Sequence, residues 1–338
     1  MKLRRTRKKT ISIVAPNNSY EPKPMSQIRR LFTLTNIHTN EIYCIIELSD
    51  KRIATASSDR AIRISSLNPF TKEWNQELHK ENAHDDYIFS LCEFNLSKLI
   101  SCSSDKTIKI WTLSKTELSL ITTLQAHTDI VWKISVLNNT QFASCSKDQT
   151  VKIWEDINTF QELLTIKEND WVWSILCLKS KDILVTSCGD TSSSISFWNT
   201  VTVIKEYSFP GYFNFCLSQL IELSNGNIAL ASWTEDKPIV IIDPNTYTVI
   251  KEIKLNQFVT AVSAMCVLND DSFVFMNNGT FLQISNKDYS IMYKKERLEG
   301  LFNACDILLI CNGRYMVISN NYNGVSIVQP CFKRKNAK

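Results

Sequence analysis

Acid–base, metal and redox chemistry need histidine, cysteine and carboxylates at workable spacing, and this 338-residue chain is poor in the first of these. It has four histidines, His38, His79, His84 and His127, and none stands at a ligand spacing from a cysteine. Eleven cysteines run from Cys44 to Cys331 without one CxxC pair. Structural zinc sites are built from such pairs, so no metal and no other cofactor is expected. Cys92, Cys102, Cys145, Cys177 and Cys266 lie inside apolar alternating runs, where a thiol acts as a small buried hydrophobe. No glycine-rich phosphate loop is present in a chain with only seven glycines. An enzyme is therefore not expected. An odd number of thiols without framework spacing fits a reducing compartment, so the cytoplasm or nucleus is predicted.

Two of the histidines sit in matching frames. The segments AHDDYIFSLCEFNLSKLISCSSDKTIKIW (83–111) and AHTDIVWKISVLNNTQFASCSKDQTVKIW (126–154) align without a gap. Upstream, IHTNEIYCIIELSDKRIATASSDRAIRIS keeps His38 and Asp59 but has Ser65 in place of the tryptophan. Downstream, ENDWVWSILCLKSKDILVTSCGDTSSSISFW keeps Asp190 and Trp198 and has no histidine. Fainter echoes follow around Asp236, Asn278 and Asn321, so turn markers recur every 42 to 46 residues. Seven units of about 43 residues fill the stretch 31–332.

Inside a unit the apolar period is two, as in IVWKISV and TVKIW, and polar turns separate the runs. Four short strands in a meander expose two apolar faces and are unstable alone. Stacking them radially buries both faces, and closing the ring removes the ends. The predicted fold is all-β: a seven-bladed β-propeller of four-stranded blades spanning 28–332. The orphan run IRRLFTLT (28–35) precedes the first unit, and the last unit ends after three strands. That run is expected to supply the missing outer strand, so the ring is closed by an N-terminal strand.

The D-x-T-(I/V)-K-I-W strand with Ala-His upstream resembles the WD-repeat family, and the resemblance covers nearly the whole chain. It is strongest in the second and third units. The family's Asp after Trp is replaced by Thr112, Glu155 and Asn199, and its Gly-His by Ala-His. The resemblance implies a hydrogen-bonded set in each strong unit: His84, Asp105, Trp111 and Ser101 or Ser103, then His127, Asp148, Trp154 and Ser144 or Ser146. A His–Asp–Ser trio invites a hydrolase reading, but a triad needs an exposed nucleophile and an oxyanion hole. A trio repeated in adjacent units is a repeat feature, so the set is read as structural.

The resemblance also places the fifth residue after the loop histidine near the mouth of the ring. That position reads Tyr43, Phe89, Trp132, Trp173, Ser218, Ser263 and Cys305. Four consecutive units offer aromatics. Trp171 lies beside them, and the run SFPGYFNF (208–215) reads as an uncharged loop carrying Phe209, Tyr212 and Phe213. Packing between blades is the plain explanation of any single ring. A whole arc suits protein binding, because aromatics desolvate large area at small entropy cost. A cage for a cation is a narrower possibility. The expected function is a non-enzymatic scaffold in a multiprotein complex, binding a peptide or partner domain through an aromatic top face.

At 44% apolar and 21% charged residues the composition is that of an ordinary globular domain. No run approaches the roughly 20 apolar residues of a membrane helix, and the basic start is followed by too few apolar residues for a secretory signal. The charge is unevenly placed. Residues 1–30 are net +8 and 333–338 net +4, which leaves −8 for 31–332 in a chain of total +4. Residues 1–27 read as a basic arm and linker, and 333–338 as a basic tail. The alternative function is a ribonucleoprotein or nucleic-acid-associated component tethered by that N-terminal arm alone, without membrane contact.

Overall fold

The computed structural model describes residues 24–332, except 69–70, 72, 157–158, 179–180, 190–192, 214–216, 233–238, 255–263, 269–270, 278–279, 296–305, 311–314 and 321–323. Among the described residues all regular structure is strand. The first strand among the described residues is β1 (Met25–Leu34). Blade 1 follows as β2 (Ile42–Glu47), β3 (Ile53–Ser57), β4 (Ile62–Asn68) and β5 (Glu73–Lys80). Blade 2 is β6 (Ile88–Phe94), β7 (Lys98–Ser103), β8 (Ile108–Leu113) and β9 (Leu118–Leu124). Blade 3 is β10 (Val131–Val136), β11 (Gln141–Ser146), β12 (Thr150–Asp156) and β13 (Phe160–Lys167). Blade 4 is β14 (Val172–Cys177), β15 (Ile183–Cys188), β16 (Ser193–Asn199) and β17 (Lys205–Phe213). Blade 5 is β18 (Leu217–Glu222), β19 (Ile228–Ser232), β20 (Ile239–Asp243) and β21 (Thr248–Ile253). Blade 6 is β22 (Ala264–Val267), β23 (Ser272–Asn277), β24 (Thr280–Ser285) and β25 (Ile291–Lys295). The last three strands are β26 (Ile307–Ile310), β27 (Tyr315–Asn320) and β28 (Gly324–Phe332).

Each blade is an antiparallel meander, and the seventh has the order β1-β28-β27-β26. The first strand of the chain is therefore the outer strand of the last blade, as the orphan run predicts. It begins at Met25, three residues earlier than expected, and pairs with β28 from Met25↔Phe332 to Leu34↔Val325. Where the two strands end near the next blade, Gly324 is required. A Cβ there would lie 1.9 Å from the Leu34 carbonyl oxygen.

The core is divided among the blade interfaces. Seven apolar clusters each draw on two neighbouring blades, for instance Ile62, Ile64 and Ala56 of blade 1 with Leu91, Leu99 and Trp111 of blade 2. The strands of each sheet point alternately to the two neighbours, which is why the apolar period is two. Closer to the axis, a second device joins the blades. A side chain on an innermost strand accepts the backbone N–H of the next innermost strand: Cys44 Sγ from Leu91 (3.3 Å), Ser90 Oγ from Ile134 (3.4 Å) and Ser135 Oγ from Cys177 (3.2 Å). Gln219 Oε1 does this for Met265 (2.5 Å), and Asp306 Oδ2 for Ile45 (2.8 Å), which carries the series across the closure from blade 7 to blade 1. Asp306 is partly buried, and desolvation of its carboxyl pushes it up to about 6 against the pull of the Ile45 and Ile307 amides.

One expectation is corrected. The run 208–215 is not a loop up to residue 213: it forms the second half of β17, the outer strand of blade 4. Ser194 pairs with Pro210 and Ser193 with Phe213, so Gly211 and Tyr212 are taken up in a bulge. Proline is tolerated because an outer strand does not need that N–H for a ladder. The turn markers Asp190, Asp236, Asn278 and Asn321 lie outside the described residues.

Candidate functional site

Two constellations predicted from the sequence take shape. In blade 2 the His84 Nδ1 lies 2.8 Å from Asp105 Oδ2, and Nε2 lies 2.7 Å from Ser101 Oγ. The Trp111 indole donates to the same Ser101 oxygen at 2.9 Å. Blade 3 repeats this with His127, Asp148 (2.9 Å), Ser144 (2.8 Å) and Trp154 (2.9 Å). One relay satisfies every group: indole N–H to serine, serine O–H to Nε2, Nδ1–H to carboxylate. Of the serines left open by the sequence, Ser101 and Ser144 complete the set. Ser103 and Ser146 instead accept the N–H of Asp105 and Asp148 and shape the turn. Blade 1 keeps His38 with Asp59 (3.0 Å) and Thr55 (2.8 Å).

The aspartates also accept backbone and threonine donors, such as Asp85 N–H and the Thr107 hydroxyl at Asp105. Burial alone would raise these carboxyls. The donated bonds and the imidazole outweigh it and hold Asp59, Asp105 and Asp148 well below the usual carboxylate range. Ser101 and Ser144 are fully buried and carry two hydrogen bonds each, so neither can present a nucleophile. His127→Ala removes the middle of a buried relay and is expected to cost about 1–3 kcal/mol. His79→Ala, on the exposed face of β5, is expected to fall within about 0.5 kcal/mol of wild type. Urea denaturation of both variants checks this; equal midpoints would contradict the relay.

Blade 4 holds a set that the sequence reading missed. Counting back five residues from Trp173 places Glu168 in the histidine slot. Its carboxylate accepts the Trp198 indole at 2.7 Å, the Thr186 hydroxyl at 2.6 Å and Lys205 Nζ at 2.8 Å. The role of histidine passes to a carboxylate with an ammonium partner, a swap of charge that no motif search for histidine detects.

The aromatic arc has a common structural cause. The first two ladder pairs of an innermost strand are interrupted by a bulge: Ile42/Cys44, Ile88/Ser90, Val131/Lys133, Val172/Ser174 and Leu217/Gln219. The bulged residues are Tyr43, Phe89, Trp132, Trp173 and Ser218, the positions counted from the sequence. A bulge re-aims one side chain without disturbing the ladder beyond it. In blade 7 the described ladder between β26 and β27 has no bulge, and Leu308 pairs directly with Val317. Ser263 and Cys305 lie outside the described residues.

The four rings touch in sequence. Tyr43 to Phe89 is 5.1 Å between centroids, Phe89 to Trp132 4.6 Å, and Trp132 to Trp173 4.7 Å with planes 25° apart. Trp171 continues the row at 5.8 Å and carries Lys147 Nζ 4.2 Å above its ring. All five rings are half-buried, and Tyr87 beside them is 44% exposed. Tyr43 donates to Glu41 at 2.9 Å and Trp173 to the Gly189 carbonyl at 2.7 Å. The Trp132 indole N–H has no acceptor among the described residues. Rings that touch in sequence make the arc a continuous row of aromatics. Phe209 is not part of it. It packs on Phe197 and Tyr207, at 6.2 and 4.9 Å, on the outer strand between blades 4 and 5. Tyr212 and Phe213 lie in β17, and their side chains lie outside the described residues.

Seven four-stranded meanders closed into a ring by the first strand define a β-propeller. Within it, the family model for the WD domain, G-beta repeat, matches residues 75–112 and 118–155. Each match covers the outer strand of one blade and the three inner strands of the next. The same offset leaves the first strand to complete the last blade. Comparison with curated proteins gives no match. Among solved structures, the fold is similar to the WD40 β-propeller domain of Doa1, with a TM-score of 0.72 at 18% identity over 92% of this chain and 98% of that one. WD40 propellers in general serve as platforms for protein interaction. Among the described residues no helix is long and apolar enough to cross a membrane, and no group of three metal-ligating side chains occurs.

Proposed function

We propose that this protein is a non-enzymatic interaction scaffold that binds a peptide or partner domain on the aromatic platform of blades 1–4. The observation that carries the reading is the row of four touching rings, each set at a bulge of its innermost strand. A row of half-buried aromatics presents large apolar area that is already ordered, so a partner covering it gains burial at little cost in side-chain freedom. The buried, saturated relays of blades 2 and 3 support the non-enzymatic part.

Trp132→Ala and Trp173→Ala are expected to cost about 1–2 kcal/mol of stability, because neither side chain is fully buried. Burial of a whole aromatic side chain would make that about 3–5 kcal/mol, as expected for Trp154→Ala. The same two variants should lose the native partner by about 2 kcal/mol or more, roughly 30-fold in affinity. Affinity capture from the native cell, run beside thermal melts, makes the comparison. If Trp132→Ala melts as low as Trp154→Ala, the arc is core between blades and the reading fails.

A further inference from the structure

Beside the aromatic arc the innermost strands carry a charge that the ring leaves unanswered. Directly after the bulge, blades 1, 2 and 4 have Cys44, Ser90 and Ser174, and blade 3 has Lys133. Cys44 and Ser90 each accept an N–H from the next blade. An ammonium cannot accept, and Lys133 Nζ instead donates to Ser174 Oγ at 3.3 Å. Among the described residues that hydroxyl is its only hydrogen-bond partner, and Lys133 makes no ion pair. Protein surrounds the side chain, yet part of it still meets solvent, as in the wall of an axial channel. Burial pulls the ammonium below the ordinary lysine range, and the charge of Asp306 is among those that pull it back. The thiols of Cys44 and Cys145 are pushed up to about 12 by burial and stay neutral, so neither supplies a counter-charge. Asp306 is already served: Oδ2 accepts the Ile45 N–H at 2.8 Å and Oδ1 the Ile307 N–H at 2.9 Å. A second donor stands in the same bulge. The ladder steps from Val131↔Ser146 to Lys133↔Cys145, so Trp132 and Lys133 together oppose Cys145, and the Trp132 indole N–H also lacks an acceptor among the described residues. The unmet demand is for an acceptor that carries negative charge.

We propose that Lys133 anchors a carboxylate in the axial channel: the side chain of a Glu or Asp that the partner inserts beside the aromatic platform. The inference deepens the scaffold reading and rests on it, since the partner must already lie across the arc. Trp132 and Trp173 directly precede Lys133 and Ser174 in the chain, so a partner covering these two stacked rings, 4.7 Å apart, lies next to the ammonium. Charges enclosed by protein are screened less than charges on the surface, and the Lys133 ammonium has given up much of its water on folding. A carboxylate arriving there therefore completes a pair whose cation is already desolvated in the free protein. A neutral amide of the same shape gains far less, so the site reads charge as well as shape. Asp306 acts on the incoming group with like charge. It weakens the gain without cancelling it, because a backbone N–H is bonded to each of its oxygens.

Isothermal calorimetry of the full chain with the blocked tripeptides Leu-Glu-Leu and Leu-Gln-Leu tests this, the leucines covering the platform and the central residue probing the channel. Wild type should prefer the Glu peptide by at least about tenfold in affinity. Lys133→Met should remove that preference, and Asp306→Asn should enlarge it. Thermal melts establish that each variant is folded, and Lys133→Gln takes the place of the Met variant if that one is not. Acetate alone separates a free anion from a partner's side chain, and should bind at least about tenfold more weakly than the Glu peptide. The proposal is overturned if wild type binds neither peptide or does not distinguish them, or if the preference survives the loss of the Lys133 charge. It is also overturned if the preference falls in Asp306→Asn, or if acetate binds as tightly as the Glu peptide. The platform reading fails separately, through the melting of Trp132→Ala. A native partner lost by a folded Trp132→Ala chain and held by Lys133→Met keeps the platform and removes the anchor.

Discussion

Deleting residues 1–35 is expected to abolish the folded ring, whereas deleting 1–20 should leave its melting temperature unchanged. The first truncation removes the whole of β1. It takes away a fully paired outer strand, the Met25 to Gln283 bond and the apolar side chains of Met25, Ile28, Leu31 and Leu34 that pack on two clusters. It also opens the blade 7 sheet at β28. A loss on the order of 5 kcal/mol or more is comparable to the whole stability of an ordinary domain. The second truncation stops short of Met25 and touches none of these contacts. Thermal melts of the two chains decide the matter, and equal melting temperatures would refute closure by the first strand. Gly324→Ala gives a point test of the same joint, because its Cβ would collide with the Leu34 carbonyl.

Glu168→Leu is expected to be among the most damaging single changes outside the apolar clusters, at about 3–5 kcal/mol. The carboxylate is 1% exposed and meets Trp198, Thr186 and Lys205 together. Removing it takes the acceptor from the Trp198 indole N–H, leaves the Thr186 hydroxyl only a long bond to the Ser196 carbonyl and strips an ammonium of its partner, and breaking one side of a buried pair is far costlier than losing a surface one. Glu162→Leu provides the contrast. That residue pairs with Lys152 on the exposed side of blade 3, with 38% of its side chain exposed, and should cost under about 1 kcal/mol. Guanidinium denaturation of both variants gives the comparison. A Glu168 variant as stable as the Glu162 variant would show that the slot needs no acceptor.

The legible parts of the sequence were those where one geometry is always met by the same chemistry. A buried imidazole and a buried indole each need a fixed kind of partner, so His84 with Trp111 and His127 with Trp154 announce their relays. The offset of the repeat announces closure, since three strands at one end and one at the other must meet. Glu168 stayed hidden because a carboxylate can accept the same indole from the same slot. The bonds between innermost strands stayed hidden for a related reason: Cys44, Ser90, Ser135, Gln219 and Asp306 differ in type and in position along the strand, and share only a side chain able to accept. The Pro-Gly pair in 208–215 misled because the rule it obeys, that proline leaves a ladder, does not bind an edge. The arc positions could be counted, but their cause could not, since a bulge is a property of pairing between strands and leaves no mark on one strand alone.

The pairing of Met25 with Phe332 has a further consequence for the birth of the molecule. A ribosome adding roughly 5–20 residues per second needs on the order of 15 seconds to a minute to travel between the two partners. Throughout that interval β1 has emerged and has no ladder to join, while blades 1 to 6 can form one after another beside it. Folding is therefore vectorial up to its last step, and that step joins the most distant parts of the chain. The waiting strand is an unpaired β edge exposed to other nascent chains, the form in which strands most readily aggregate. Its exposed Arg29 and Arg30 put like charge on that edge and keep copies of it apart until β28 arrives.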